Sequence, residues 1–90
     1  VKVRDLIQLI QSTSYLTFEL LKVTDSGKTE VWTIESRDES LLGMIRWHPP
    51  WRQYTVFLED CTIFNNQCLK DIIDVLDVLN KYKRTDGEVL

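Results

Sequence analysis

The sequence predicts an α+β fold, a single domain over residues 1–90: a four-stranded antiparallel meander with a short N-terminal helix and a longer C-terminal helix packed on the sheet. Three observations predict it. Between residues 14 and 59, β-rich stretches are separated by very short turns, and connections that short join only antiparallel neighbours. From residue 66 to 84 the apolar residues recur at a helical period. Val3, Leu6, Ile7 and Ile10 show the same period ahead of the first strand, with Asp5 suited to a first helical turn.

Taken in order, "SYLTFELLKVT" (14–24) is rich in β-formers, with Leu16, Phe18 and Leu20 alternating along one face. "DSGK" (25–28) is a turn in which Gly27 can take positive φ. "EVWTIES" (30–36) places Trp32 and Ile34 on one face, and "RDES" (37–40) turns the chain again. Strands "LLGMIRWH" (41–48) and "WRQYTVFLE" (51–59) flank the prolines. The final helix carries Leu69, Ile72, Ile73, Leu76 and Leu79 on its apolar stripe, continued by Tyr82 or Lys83. Asp71, Asp74, Asp77 and Lys81 form its solvated side. Asn65 or Asn66 can cap its start, Lys81, Lys83 and Arg84 suit its negative end, and Asp86-Gly87 is expected to stop it.

Composition narrows the function classes. A chain of 90 residues, 43% hydrophobic and 28% charged, is long enough for one core and too apolar for a disordered segment. No apolar run approaches the ~18 residues of a membrane span, and the opening stretch lacks the continuous apolar region of a signal peptide. A net charge of −3 disfavours non-specific binding to phosphate backbones. Two cysteines, Cys61 and Cys68, suit a reducing, cytoplasmic setting better than a disulfide-stabilised secreted one, although their spacing permits a bridge.

Cofactor and catalytic signatures are lacking. His48 is the sole histidine and has no nucleophile placed beside it by sequence. Cys61, Cys68 and His48 are too few and too irregularly spaced for structural zinc. Cys68 shares a helical face with Ile72, Val75 and Leu79, the position of a buried thiol. The three helical aspartates lack the glycine and loop spacing of a calcium site. No cofactor is therefore expected.

Function is expected around "RWHPPWRQY" (46–54), which gathers both prolines, the histidine and two of the three tryptophans. Whether the loop is Pro49-Pro50 alone or His48 through Trp51, the register is the same and opposes Trp47 to Arg52, Ile45 to Tyr54, Gly43 to Val56 and Leu41 to Leu58, all on the core face. Proline is disfavoured at the second corner of a two-residue turn, so either Pro49–Pro50 is cis or the loop is a wider four-residue one. The other face then carries Leu42, Met44, Arg46 and His48 against Phe57, Thr55, Gln53 and Trp51. Left bare, that surface would be of the size that marks an interaction site. Met44, Arg46, His48, Trp51, Gln53 and Phe57 are the candidate binding residues, for a protein partner or a second copy as a homodimer. Arg46, Arg52, Trp51 and His48 are the alternative set, for nucleic acid, by stacking and phosphate pairing.

Residues 41–79 resemble a pattern of small phage and bacterial proteins: a G-x-I-x-W strand, then W-R-x-Y-x-F, then an N-x-x-C-L helix start. Gly43, Ile45, Trp47, Trp51, Arg52, Tyr54, Asn65, Cys68 and Leu69 carry it, with Val56 where the pattern has an aromatic. No activity is attached to that group, so the resemblance implies a phage or prophage setting and not a function; in that setting an accessory role is the expectation. The order of strands, hairpin and helix also resembles the three-stranded DNA-binding domains of integrases, a likeness of fold alone.

Overall fold

The structure, a computed structural model, describes Ile10 and residues 15–89, with the side chains of the last helix described as far as Lys83. Four strands, β1 (Leu16–Val23), β2 (Glu30–Ser36), β3 (Leu41–His48) and β4 (Gln53–Leu58), form one antiparallel sheet in chain order. A 3₁₀ turn at Pro49–Trp51 joins β3 to β4, and one long helix, α1 (Asn66–Val89), follows. The expected meander and C-terminal helix are both present. The expected N-terminal helix falls outside the described residues, of which only Ile10 bears on it; Ile10 is a bend residue buried in the core.

Alternation builds the core. Leu16 and Phe18 of β1, Trp32 and Ile34 of β2, Ile45 of β3 and Tyr54 of β4 point to one face. Cys68, Ile72, Val75 and Leu79 of α1 close over them. Each such fully buried large apolar side chain is worth about 1.5–3 kcal/mol against exposure. β2 is an inner strand and is buried from Glu30 to Ile34, on both faces.

The helical stripe sits differently from its expected place. Leu69 and Ile73 are exposed, while Cys68, Ile72, Val75 and Leu79 are buried, and Asp71 is buried rather than solvated. The apolar arc is broader than the sheet can cover. α1 lies toward β4, so the arc's Leu69–Ile73 flank overhangs that edge of the sheet. Asp71 accepts a hydrogen bond through Oδ1 from Gln67 at 2.8 Å, and its Oδ2 has no hydrogen-bond partner among the described residues. Asn65 caps the helix, its Oδ1 accepting from the Cys68 N–H at 2.8 Å, and the helix runs past Gly87 to Val89 rather than stopping there.

Turns follow their residues. Gly27 takes φ +72°, as expected of the β1–β2 turn. That turn is pinned to the helix by Lys83, whose Nζ donates to the Lys28 carbonyl at 2.8 Å. In the β2–β3 turn Glu39 takes φ +70°, while Asp38 accepts from the Ser36 hydroxyl and the Ser40 N–H.

Two irregularities decide what the hairpins present. One lies between Leu20 and Lys22, which puts Leu21 into a bulge of β1. The other lies between Ile34 and Glu35, opposite Gly43 and Leu41, so that Leu42 is the extra residue on β3. The second corrects the expected strand faces: Leu42 packs against the core cluster and Leu41 is exposed. A bulge shifts alternation by one residue, and residue patterns do not mark where it falls.

Candidate interaction surface

The β3–β4 register is displaced by two residues from the expected one, whichever loop form is assumed. Trp47 opposes Tyr54, Ile45 opposes Val56 and Gly43 opposes Leu58; on the other face His48 opposes Gln53, Arg46 opposes Thr55 and Met44 opposes Phe57. The prolines cause this. Every peptide bond described is trans, His48 is extended, and Pro49, Pro50 and Trp51 form a 3₁₀ turn. Arg52 ends it at φ 51°, ψ 47°, its N–H donating to the Pro49 carbonyl at 3.1 Å. The loop is therefore Pro49–Arg52, wide and trans but one residue further along than the expected His48–Trp51 form, and Trp51 and Arg52 belong to it rather than to β4. A displacement of two leaves each residue on its expected face, because side chains alternate with period two.

Gly43 shows how closely the strands approach at the far end of this hairpin. A Cβ there would lie 2.7 Å from the Phe57 carbonyl oxygen, too close to coexist without backbone movement. The core side of the hairpin is made by Trp47 and Tyr54, edge to face at 5.5 Å. Lys83 rather than Arg52 lies over Trp47, at 5.7 Å.

On the outer face the sheet assembles a stacked row. The Arg46 guanidinium carbon sits 4.0 Å over the Phe57 ring. His48 meets Phe57 edge to face at 5.9 Å and Trp51 at 4.9 Å. Trp51 is 66% exposed and ends the row at the hairpin tip. Met44, opposite Phe57, is half-buried, and Gln53 is exposed opposite His48. Met44, Arg46, His48, Trp51 and Phe57 thus come together as expected, with Gln53 alongside in register. Arg52 sits apart from the row, at the closing position of the turn.

The row borders an open concavity of about 510 Å³, lined by Leu21, Lys22, Val31, Met44, Arg46 and Phe57 among others. Leu21 and Lys22 are the contribution that reading the sequence missed. The signal was the pair Leu20-Leu21: with Leu20 inward, alternation turns Leu21 outward, 53% exposed, and the β1 bulge then sets Lys22 opposite Val31 on the same side.

Chemically the surface offers flat aromatic area and a hollow of mixed lining, in which the apolar Leu21, Val31 and Met44 sit beside the cations Lys22 and Arg46 and the carboxylate of Glu59. A guanidinium lying flat on a ring keeps its N–H edge turned outward, available to a carboxylate. His48 has its two ring contacts with Trp51 and Phe57, not with a nucleophile. Cys61 is exposed and Cys68 buried, and neither is in a disulfide. Among the described residues no cluster of three His, Cys, Asp or Glu side chains could hold a metal ion, and no helix is long and apolar enough to cross a membrane. Comparison with family models, with curated proteins and with solved structures returned no match.

Proposed function

We propose that this chain is a small, non-enzymatic interaction module that binds a protein partner through the outer face of its sheet. One observation supports this most directly: the stacked Arg46–Phe57–His48–Trp51 row ends on a tryptophan that is two-thirds exposed, while its Arg46–Phe57 end borders an open hollow of mixed apolar and charged lining. A rigid aromatic of that kind gives contact area at low entropic cost, and Trp and Arg are the residues that carry most binding energy in interfaces. The partner chemistry that suits it is an apolar segment bearing a carboxylate; a second copy meeting the same face is the other form of this reading. The resemblance of residues 41–79 adds a phage or prophage accessory role in the cytoplasm, and the N-terminal helix expected over Val3–Ile10 belongs to the same proposal.

Selection from a peptide display library tests it. Peptides enriched on the wild-type chain should carry an acidic residue beside apolar ones and lose about tenfold or more in affinity on Met44→Asp. Equal affinity for both chains would remove the outer face as the site. The competing nucleic-acid reading requires retention on single-stranded DNA that falls with salt and with Arg46→Ala and Arg52→Ala.

A further inference from the structure

The two edges of the sheet are built differently. β1 carries Glu19 and Lys22 and is broken by the bulge at Leu21, the features that keep an edge strand from pairing with another chain. β4 reads Gln53-Tyr54-Thr55-Val56-Phe57-Leu58, with no charge, no proline and no bulge. Hydrogen-bonding direction alternates along a strand, so the N–H and C=O groups of Tyr54, Val56 and Leu58 point away from β3. Asn80 of α1 covers the first of these: its Oδ1 accepts from the Tyr54 N–H at 2.6 Å and its Nδ2 donates to the Tyr54 carbonyl at 3.3 Å. Val56 and Leu58 have no such cover among the described residues.

We infer that β4 pairs antiparallel with the β4 of a second copy of this chain, giving a continuous eight-stranded sheet. Charge selects the occupant and its direction. Arg52 precedes the uncharged strand, and Glu59 and Asp60 follow it. An antiparallel copy sets the basic start of each strand toward the acidic end of the other, twice over, whereas a parallel one would set like against like. A two-fold axis at Phe57 brings Val56 of each copy against Leu58 of the other and leaves Tyr54 with Asn80. The same axis lays the two α1 helices side by side, so the overhanging Leu69 and Ile73, 46% and 53% exposed, meet their equivalents. An isolated extended peptide would satisfy the strand edge but bring no matching helix flank. The contact runs along the strand edge rather than across the outer face, and Phe57, which also belongs to the outer-face row, lies on its axis.

Sedimentation velocity over a hundredfold dilution tests this on the wild type and on charge variants, with circular dichroism confirming that each is folded. The wild type should show a dimer that dissociates on dilution. In this register Asp60 of each copy faces Tyr54 of the other and lies diagonally within reach of its Arg52. Arg52→Glu and Asp60→Arg should therefore each weaken the dimer about fivefold, as expected for exposed charge contacts, and the double variant should recover the wild-type midpoint. Val56→Pro, which removes an N–H that β3 does not use, should abolish the dimer; should that variant fail to fold, the charge swap still decides. A wild type that stays monomeric throughout, or a double variant that does not recover, overturns the inference. So does a dimer lost in Met44→Asp but indifferent to Arg52→Glu, which would move the contact to the outer face.

Discussion

The two faces of the sheet use the same strands and the same alternation yet reach different ends. Along β3, Ile45 is completely buried while Arg46, its neighbour, is exposed; along β4, Tyr54 is buried while Phe57 on the opposite face is only half so. The inner face has α1 as a second layer, so side chains beneath it such as Ile34, Ile45 and Tyr54 lose nearly all contact with water. The outer face around the hairpin covers its apolar atoms with each other, guanidinium on phenyl and imidazole edge on ring. Stacking of this kind shields apolar area without removing it from reach. An aromatic row can therefore be stable and still be available to a partner.

The comparison is broken most directly by substituting adjacent residues on opposite faces. Ile45→Ala should cost about 2–5 kcal/mol in urea unfolding, because the site is closed on all sides and cannot collapse fully. Arg46→Ala should cost no more than about 1 kcal/mol, the scale of an exposed cation–ring contact. Equal costs would mean that the outer face carries structural weight comparable to the core. Asn80→Ala comes next, at about 1–2 kcal/mol, since it strips partners from both Tyr54 backbone groups. It should also speed amide exchange at Tyr54, and unchanged exchange there would show the clamp to be incidental.

The smallest effect belongs to the β2–β3 turn. The Ser36 hydroxyl, followed by the Ser40 backbone and side chain, holds the exposed Asp38 carboxyl below its ordinary value of 3.8. A depressed carboxylate adds stability that is present above that ordinary value and lost as pH falls through the lower folded one. Asp38→Asn should therefore cost little at neutral pH and flatten the acid limb of the stability profile below about pH 4. An acid limb identical to the wild type's would show that the turn contributes nothing to the pH dependence.

Much of this architecture was legible in the residues. Turns as short as "DSGK" and "RDES" permit only antiparallel neighbours, and the alternation of Trp32 with Ile34 marks a buried face regardless of what covers it. The candidate surface was legible for the same reason: a hairpin register wrong by two residues still assigns Met44, Arg46, His48 and Phe57 to one side. The bulges were not legible. Leu41 and Leu42 are the same residue type, and only the meeting of β2 with β3 decides which of them turns inward. The rotation of α1 was hidden likewise, because its apolar arc is continuous from Cys68 round to Ile73 and sequence periodicity has no preference within it.

Local chemistry by itself determined where strands, turns and the helix lie and which side chains share a face, because chain stiffness and period act over a few residues. The tertiary structure alone decided the wide trans Pro49–Arg52 hairpin with its two-residue displacement, the inward turn of Leu42, the burial of Asp71 and the Asn80 clamp on Tyr54. Each of these depends on groups far apart in the chain competing for the same space. The "RWHPPWRQY" stretch shows both levels at work: sequence divided it between two faces, and packing made the outer half a stacked row ending in an exposed tryptophan.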